Sequence, residues 1–347
     1  MPIPATSADF LEVVRKSGQI DEVLLENYLQ QPRSEPLPQQ PRRLARQMVL
    51  DGLLTRFQAE QFLLGKHRGF SLAGYRILER LGAGGMAVVY VAEHELMRRL
   101  VAIKVVPSTG PERQAAIQRF CREARAAAVL SHPNIVRVYD FRQEGNSYFL
   151  VMEYVDGPDL EQLLAKHGPL PIPLACDYML QTALALQHVH DQGLIHRDVK
   201  PSNLLVDAVG TVKLFDLGLA LFRSDNERDD REGIVGTADY IAPEQVVDSH
   251  TVDARADIYR LGATLYTLLT GETPFGSGTV QQKLLWHQIR QPASLRDKRP
   301  DAPQELDELL FYLMAKKPDH RPSNCAEVAA LLAPFTVELS EKVGCMV

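Results

Sequence analysis

Five short motifs occur in one order along the chain, and their residue types suit the binding and transfer of a phosphoryl group. A glycine-rich turn, "LGAGGMAVVY", lies between two strand-like stretches, and "VAIK" follows it and ends at Lys104. Backbone N–H groups of such a turn can donate to phosphate oxygens, and a lysine ammonium is a point charge that can meet a phosphate. "HRDVKPSN", "KLFDLGLA" and "APE" then supply carboxylates, an amide and a further lysine.

Each motif, taken alone, can also be explained by an ordinary structural role without any function. Glycines are common in loops and bulges, and a strand lysine with Glu123 on the helix-like stretch "RFCREARAAAVL" could be two surface residues. A random chain would not contain the five motifs in this order, at spacings of about 20, 90, 15 and 25 residues. The five motifs are therefore interpreted as one site.

This ordered set resembles the signature of the protein kinase family, over about residues 72–335. The glycine-rich loop and "HPNIVRVYDF" look most like the eukaryotic-like bacterial serine/threonine kinases. The resemblance implies an α+β, two-lobed fold with ATP and Mg²⁺ bound in the cleft between the lobes. The small lobe (75–154) would be an antiparallel β-sheet plus one helix, and the large lobe (155–335) would be mainly α-helical. The implied activity is transfer of the γ-phosphoryl group to serine or threonine of a protein substrate, in signalling.

The resemblance also implies a nucleotide-binding set of loop residues and residues at the adenine and phosphates. Its members are Leu81, Gly82, Ala83, Gly84, Gly85, Met86, Ala87, Val88, Val89, Ala102, Lys104, Glu123, Met152, Glu153, Val155 and Leu205. The glycines would cover the phosphates. Lys104, paired with Glu123, would orient the α- and β-phosphates, and Met152 would be the gatekeeper.

The adenine ring has its own implied contacts within that set. Val89 and Ala102 would lie above the ring, and Leu205 would lie below it. The carbonyl of Glu153 and the amide of Val155 would bind the edge of the ring.

The catalytic residues are likewise carried over from the resemblance. Asp198 would accept the proton of the substrate hydroxyl, and Asn203 and Asp216 would bind Mg²⁺. Thr237 would pair with Asp198 and Lys200. Lys200, two positions after Asp198, and Thr237 both resemble the serine/threonine rather than the tyrosine kinases.

Three residues are implied as structural supports of the large lobe. Asp257 in "ADIYRLG" would hold the catalytic loop from beneath. Glu244 of "APE" would form a buried ion pair with Arg321 of "DHRP". The histidines show no metal-ligand spacing, and His188 and His190 are interpreted as structural.

Two positions depart from the family pattern. Ala87 stands where the loop has its third glycine, and alanine adds a methyl group and loses access to positive φ. This change is either harmless, because Gly85 keeps the loop tip flexible, or it weakens ATP binding. Leu217 replaces the phenylalanine of D-F-G, and since leucine can fill the same apolar pocket we expect little consequence.

The segment between D-x-G and "APE" has no serine, threonine or tyrosine between Ser224 and Thr237. The acids between Ser224 and Thr237 are Asp225, Glu227, Asp229, Asp230 and Glu232. In related kinases a phosphate on this segment docks on the arginine of "HRD", here Arg197. Either the segment is a solvated charged loop, or Asp229 or Asp230 stands in for the phosphate near Arg197, which would permit activity without prior phosphorylation.

Residues 1–68 contain a helical repeat with an offset of 34 residues. In each copy an amphipathic helix ends at a glycine, Gly18 or Gly52, that can take the left-handed conformation. A second helix then begins after an N-cap, Asp21 or Thr55. The pattern predicts two stacked helical hairpins.

A proline-rich linker, residues 31–43, separates the two hairpins and is expected not to be helical. The repeat is either a helical decoration on the kinase domain or a module for a partner or for self-association. In both cases we expect it to regulate or recruit and not to catalyse. Residues 336–347 are expected to be a tail.

Bulk composition excludes several other classes. The net charge of −6 argues against a nucleic-acid partner, and no apolar run of about 18 residues predicts a membrane span. Four cysteines lie far apart with no CxxC pair, so reduced thiols are expected rather than a zinc or redox site. The start of the chain has no signal-peptide pattern, which favours a cytoplasmic location.

Two other functions remain open at this point. A pseudokinase would be an ATP-binding scaffold whose repeats recruit partners, but such proteins usually lack the lysine or one of the two aspartates, and Lys104, Asp198 and Asp216 are all present. A small-molecule kinase, such as a choline or aminoglycoside kinase, is disfavoured by the stretch "GTADYIAPE" and by Arg321, the predicted partner of Glu244.

Overall fold

The computed structural model describes residues 1–32, 36–83, 87–106, 113–216, 221–222, 238–247 and 252–336. The chain divides into two compact units. The first consists of Met1–Ile117 with Tyr139–Tyr154, and the second of Gln118–Val138 with Val155–Val347. Within the described ranges, no helix combines the length and the apolar character that crossing a bilayer requires.

Four helices form the N-terminal segment of the first unit: α1 (Ser7–Ser17), α2 (Glu22–Gln30), α3 (Pro41–Leu50) and α4 (Arg56–Leu63). The local signals act as the sequence predicts. Gly18 ends α1 with a φ of 65°, the Asp21 side chain accepts from the first turn of α2, and Thr55 forms a capping box at α4.

The prediction that residues 31–43 form a non-helical linker is wrong at the C-terminal end of that range, because α3 already begins at Pro41. Proline fits the first position of a helix, where its missing N–H would have no partner in any case. The four helices share one core, whose fully buried members are Phe10, Val14, Leu25, Leu44, Met48 and Phe62.

A six-stranded sheet completes the first unit, with the order β1-β2-β3-β4-β6-β5. Its strands are β1 (Ser71–Leu72), β2 (Tyr75–Ala83), β3 (Val88–His94), β4 (Leu100–Val106), β5 (Val138–Glu144) and β6 (Ser147–Glu153). The pairs β2–β3, β3–β4 and β4–β6 are antiparallel. Because side chains alternate along a strand, Val101 and Ile103 of β4 pack into one cluster with Phe149 and Val151 of β6.

Helix α4 packs directly on strand β2. Gln58 is 3% exposed, and its Nε2 donates to the carbonyl of Ile77 at 2.9 Å. The ring of Phe57 lies 6.3 Å from that of Phe70 and 6.2 Å from that of Tyr90. The helical segment and the sheet therefore share buried contacts within one compact unit.

The remainder of the chain is mainly helical, and α5 (Arg113–Ala128) spans the point where the first unit gives way to the second. The helices that follow are α6 (Leu160–His167), α7 (Ile172–Asp191), α8 (Pro243–Val247), α9 (Arg255–Thr270), α10 (Val280–Ile289), α11 (Leu295–Lys298), α12 (Gln304–Leu313) and α13 (Cys325–Leu332). Four short strands also occur: β7 (Leu194–Ile195), β8 (Leu204–Val206), β9 (Val212–Leu214) and β10 (Leu221–Phe222). The predicted α+β class, an antiparallel sheet lobe followed by a mainly helical lobe, is confirmed.

Helix α9 lies at the centre of the second unit. Its residues from Ala256 to Leu269 are all buried, and a helix that is buried on every side must be apolar or must pair its polar groups. Two of those buried residues, Asp257 and Arg260, carry charge. Both meet the segment that follows β7.

Candidate active site

Asp257 fixes the backbone of the segment after β7. Its Oδ2 accepts from the N–H of His196 at 2.9 Å, and its Oδ1 accepts from the N–H of Arg197 at 2.8 Å. Arg197 has a φ of 64°, which is costly for a residue with a side chain and persists only where the surroundings enforce it. The predicted support of this loop by Asp257 is confirmed.

His190 on α7 holds the same carboxylate from the other side, with 2.8 Å between Nε2 and Asp257 Oδ2. Burial alone would raise the pKa of Asp257, but the hydrogen bonds and charge of His190 and His196 outweigh burial and keep the pKa below its usual value. Asp257 therefore stays ionised in the core and can accept both backbone donors.

Asp198 lies at the centre of a set of polar groups in the second unit and is 5% exposed. Lys200 Nζ donates to its Oδ2 at 2.7 Å, and Arg260 Nη2 donates to its Oδ1 at 2.6 Å. Asn203 Nδ2 donates to the same Oδ2 at 3.1 Å and to the Asp198 carbonyl at 2.8 Å. Both carboxylate oxygens are thus held in a fixed direction.

The charge of this carboxylate is stabilised by its neighbours. Burial by itself would raise the pKa of Asp198, yet the positive charges of Arg260 and Lys200 outweigh it and hold the pKa below the usual range. An ionised and oriented carboxylate at this place can accept a proton from a hydroxyl group.

Lys200, which follows the proposed base by two positions, forms an ion pair with it. Thr237, the predicted partner of Asp198 and Lys200, lies outside the described residues. Arg260 was not predicted. Its signal was present in "ADIYRLG", because Arg260 follows Asp257 by three positions and so shares its helix face, but its partner is 62 residues away in sequence.

Asn203 and Asp216, the two predicted Mg²⁺ ligands, lie close together. The N–H of Phe215 donates to the Asn203 carbonyl at 3.1 Å, and Asp216 comes next in the chain with a φ of 63°. Since Asn203 Nδ2 points to Asp198, its Oδ1 is the atom that could bind a hard cation.

This donor set fits Mg²⁺ as a substrate-associated ion. Across the described ranges, no three His, Cys, Asp or Glu side chains converge as a metal site. Mg²⁺ is commonly held by one or two carboxylates together with substrate phosphates and water. Asn203 and Asp216 supply oxygen donors of that kind, and their assignment as ligands stays a prediction.

The glycine-rich loop joins strands β2 and β3. Gly82 pairs with Val89, and Ala83 pairs with Val88. The tip of the loop, Gly84, Gly85 and Met86, lies outside the described residues. Leu217, which replaces the phenylalanine of D-F-G, also lies outside them. Ala87 is buried, at 7% exposure.

Ala102 and Lys104 occupy alternate positions of β4 and so share one face of the sheet. Opposite them on the neighbouring strands are Met152, paired with Ala102, and Val89, paired with Lys104. This face is the one that does not carry Ile103, a member of the buried cluster. The structure therefore brings four of the predicted nucleotide residues onto adjacent strands of the first unit, and Leu81 lies exposed on β2.

The other predicted nucleotide residues are divided between the two units. Glu153 ends β6 of the first unit. Glu123 on α5 is 8% exposed, Val155 is buried, and Leu205 lies on β8, all in the second unit. The ion pair of Lys104 with Glu123 stays a prediction.

Arg321 and Glu244 form the predicted ion pair, which is confirmed. Nη1 of Arg321 donates to Glu244 Oε1 at 2.6 Å, and Nη2 donates to Oε2 at 2.8 Å. The Arg321 side chain is fully buried. A bidentate pair of this kind has a fixed geometry and ties α8 to the segment before α13.

Three comparisons with known proteins agree with this architecture. The family model described as "Protein kinase domain" matches residues 75–332. The crystal structure of the Mycobacterium tuberculosis PknI kinase domain is similar with a TM-score of 0.59 and 30% sequence identity. That similarity covers 77% of this chain and 98% of the PknI chain.

Two relatives with assigned names are similar over the same region. Serine/threonine-protein kinase PrkC of Bacillus subtilis is 36% identical over 256 residues, which is 74% of this chain and 39% of PrkC. Serine/threonine-protein kinase PknB of Mycobacterium tuberculosis is 37% identical over 265 residues, which is 74% of this chain and 42% of PknB. The chain thus spans about two fifths of the length of these relatives. The predicted family is confirmed: the chain belongs to the protein kinase family.

Proposed function

We propose that the protein transfers the γ-phosphoryl group of ATP to serine or threonine residues of protein substrates. The observation that carries this proposal is the environment of Asp198. Its buried carboxylate is held by Lys200 and Arg260 and touches Asn203, whose backbone binds the residue before Asp216. Phosphoryl transfer depends mainly on positioning and on charge stabilisation, and this group of residues suits both.

Asp198 accepts the hydroxyl proton as the substrate oxygen bonds to the γ-phosphorus of ATP, and the bond from that phosphorus to the departing ADP breaks. A positioned general base of this kind contributes about 10²- to 10⁴-fold to the rate. Lys200 lies beside Asp198 Oδ2, and its ammonium group can stabilise the negative charge that develops at the phosphoryl group. Thr237 is proposed as a further partner of the same two residues.

Asn203 and Asp216 would hold Mg²⁺, which neutralises charge on the transferred phosphates. Lys104 would bind the α- and β-phosphates, with Glu123 as its counter-ion. Ala102 and Val89 would line the adenine site on the same face of the sheet, and Leu205 would lie on the opposite side of the ring. The strand register supports the part of this assignment that places Lys104, Ala102 and Val89 on one face of the sheet.

Serine/threonine specificity is supported by two observations. Lys200 is ion-paired with the base, which resembles the serine/threonine group of the family. In addition, the relatives PrkC and PknB are named serine/threonine-protein kinases. The Glu244–Arg321 pair favours a protein kinase over a small-molecule kinase, and the presence of Lys104, Asp198 and Asp216 argues against a pseudokinase.

Residues 1–68 are proposed to recruit a partner or to regulate the kinase, without a catalytic role. They contain no cluster of the catalytic residue types. Because the sheet of the first unit has its own cluster of buried residues and the second unit has its own core, deletion of residues 1–68 should leave a protein that folds and binds ATP. Failure of the truncated protein to do either would place the segment within the catalytic fold.

The test is to incubate the protein with γ-labelled ATP, Mg²⁺ and a generic basic protein, and then to analyse the labelled amino acids. The expected result is label on serine or threonine that is lost on adding EDTA. Label on tyrosine alone would overturn the specificity. ATP binding without transfer would indicate a scaffold, and transfer only to small molecules would indicate the other class of kinase.

A further inference from the structure

We propose that Arg260 is a positioning residue for the catalytic base: it holds Oδ1 of Asp198 and links the base to helix α8. This inference rests on the proposed function, because it assigns a role relative to Asp198. Arg260 is not part of any of the five motifs on which the site was recognised.

The contact has the geometry of a fixed ion pair. Nη2 of Arg260 lies 2.6 Å from Oδ1 of Asp198, and the Arg260 side chain is 1% exposed. Lys200 and Asn203 bind the other oxygen, Oδ2. Among the described residues, the partners that would remain without Arg260 bind Oδ2, so the carboxylate could rotate about its Cβ–Cγ bond.

Arg260 also reaches a second element. Its Nη1 donates to Oε1 of Gln245 at 3.2 Å, and Gln245 lies on α8 directly after "APE". The Nε2 of Gln245 donates in turn to the carbonyl of Arg197 at 3.3 Å, next to Asp198 in the chain. Arg260 therefore closes a ring of contacts from the base through α8 back to the catalytic loop.

Helix α9 supplies both supports of this loop from one face. Asp257 holds the backbone N–H groups of His196 and Arg197, and Arg260, three positions later, holds the side chain of Asp198. One helix thus fixes the backbone and the carboxylate of the same loop.

Stability alone does not account for a cation at this place. A buried ion pair is weak evidence for stability, since well-packed apolar residues often serve as well or better. In the described part of the structure, Nε of Arg260 is buried with no hydrogen-bond partner, which adds a cost. The contact with Asp198 is what this placement provides.

The experiment compares wild type, Arg260→Gln and Arg260→Lys, with Arg255→Gln as the control on the same helix. Arg255 pairs with Asp253 and Asp319, away from the base. Turnover and KM for ATP are measured with the basic protein as substrate, and folding is checked by thermal melting and ATP binding. A group displaced by about 1 Å from its reactive position can cost about 10²-fold in rate.

For Arg260→Gln we expect kcat to fall about 10- to 100-fold, with KM for ATP within about twofold of wild type. Arg260→Lys keeps the charge but not the planar fork, so its kcat should lie between those of Arg260→Gln and wild type. Arg255→Gln should keep the kcat of wild type.

A folded Arg260→Gln protein with wild-type kcat would overturn the inference, as would equal losses in the Gln and Lys variants. If Arg260→Gln does not fold, Arg260→Lys decides: a kcat lowered about threefold or more at unchanged ATP affinity supports the inference, and wild-type kcat overturns it. If wild type itself transfers no phosphoryl group, the proposed function fails first, and the two failures are thereby distinguished.

Discussion

At the scale of single residues, buried charged side chains that the structure describes in the second unit are met by another charge or by several hydrogen-bond partners. Asp257, Asp198 and Arg321 all follow this rule. Since removal of one partner leaves the other charge buried and unpaired, such pairs are more sensitive to mutation than exposed ones.

Arg321→Leu should therefore destabilise the protein by about 3–5 kcal/mol, measured by urea unfolding. Besides the pair with Glu244, the guanidinium donates to the carbonyls of Ala315, Arg255 and Lys316. A loss below about 1 kcal/mol, the range of exposed pairs, would contradict this prediction.

The matched control for Arg321→Leu is Lys298→Leu. Lys298 pairs with Glu272 on the surface, where both side chains are more than 40% exposed. We expect this variant to change the free energy of unfolding by no more than about 1 kcal/mol.

His287 predicts a loss of stability in mild acid. It is fully buried against Tyr259, whose hydroxyl lies 2.8 Å from Nδ1. Burial, and after it the charge of Lys316, lower the pKa of His287 to about 3. In the unfolded chain the ordinary pKa is about 6.5, so below that pH the unfolded state binds a proton that the folded state does not. Below about pH 6.5 the free energy of unfolding should therefore fall by about 1.4 kcal/mol per pH unit. Between pH 7 and pH 5 the total loss should be about 2 kcal/mol.

Urea unfolding of wild type and His287→Gln at pH 7 and pH 5 measures this effect. The difference in stability between the two pH values should be smaller in the variant by about 2 kcal/mol. The exposed His320 gives the control, His320→Gln. An equal pH dependence in wild type and His287→Gln would contradict the assignment.

At the scale of elements, α4 and β2 are joined by a buried polar contact. Gln58 makes that contact, since its side chain donates to the Ile77 carbonyl. Its backbone lies in the capping box of Thr55 at the start of α4. The N-terminal segment is therefore tied to the sheet through the strand that leads into the glycine-rich loop.

Gln58→Ala should lower the free energy of unfolding by about 1–3 kcal/mol, since it leaves the Ile77 carbonyl buried without its donor. Glu60→Ala, at an exposed position of the same helix, is the control and should change stability by about 0.5 kcal/mol or less. A Gln58→Ala protein as stable as the control would mean that water replaces the lost bond.

Local signals in the sequence predicted the parts of the fold that depend on neighbouring residues. The caps at Asp21 and Thr55 were of this kind, because a cap bonds to the next few N–H groups. The Glu244–Arg321 pair was predicted through the family resemblance. Arg260 and the packing of Gln58 on β2 could not be predicted in this way, because both depend on contacts between distant parts of the chain.

At the scale of the whole molecule, each of the two units contains residues proposed for the kinase site. The face of the sheet around Lys104 suits a nucleotide, and the ordered loop at Asp198 suits the phosphoryl acceptor. The acidic segment proposed as a phosphate substitute, with Asp229 and Asp230, lies outside the described residues and stays a prediction.

That segment predicts activity without prior phosphorylation. Protein shown by mass spectrometry to be free of phosphate should phosphorylate the basic substrate, and the double variant Asp229→Asn/Asp230→Asn should be less active. Equal activity in the two proteins would reject the role of the acids. Activity that appears only after phosphate reaches Ser224 or Thr237 would mean that the segment is switched by modification.

The most direct test of the central claim is to measure turnover and ATP affinity side by side in wild type and Asp198→Asn. If Asp198 is the base of an active kinase, turnover should fall by about 10²- to 10⁴-fold. The dissociation constant for ATP should stay within about threefold, which also shows that the variant folds although Arg260 no longer faces a negative charge at position 198. An Asp198→Asn protein that keeps wild-type turnover would contradict the account.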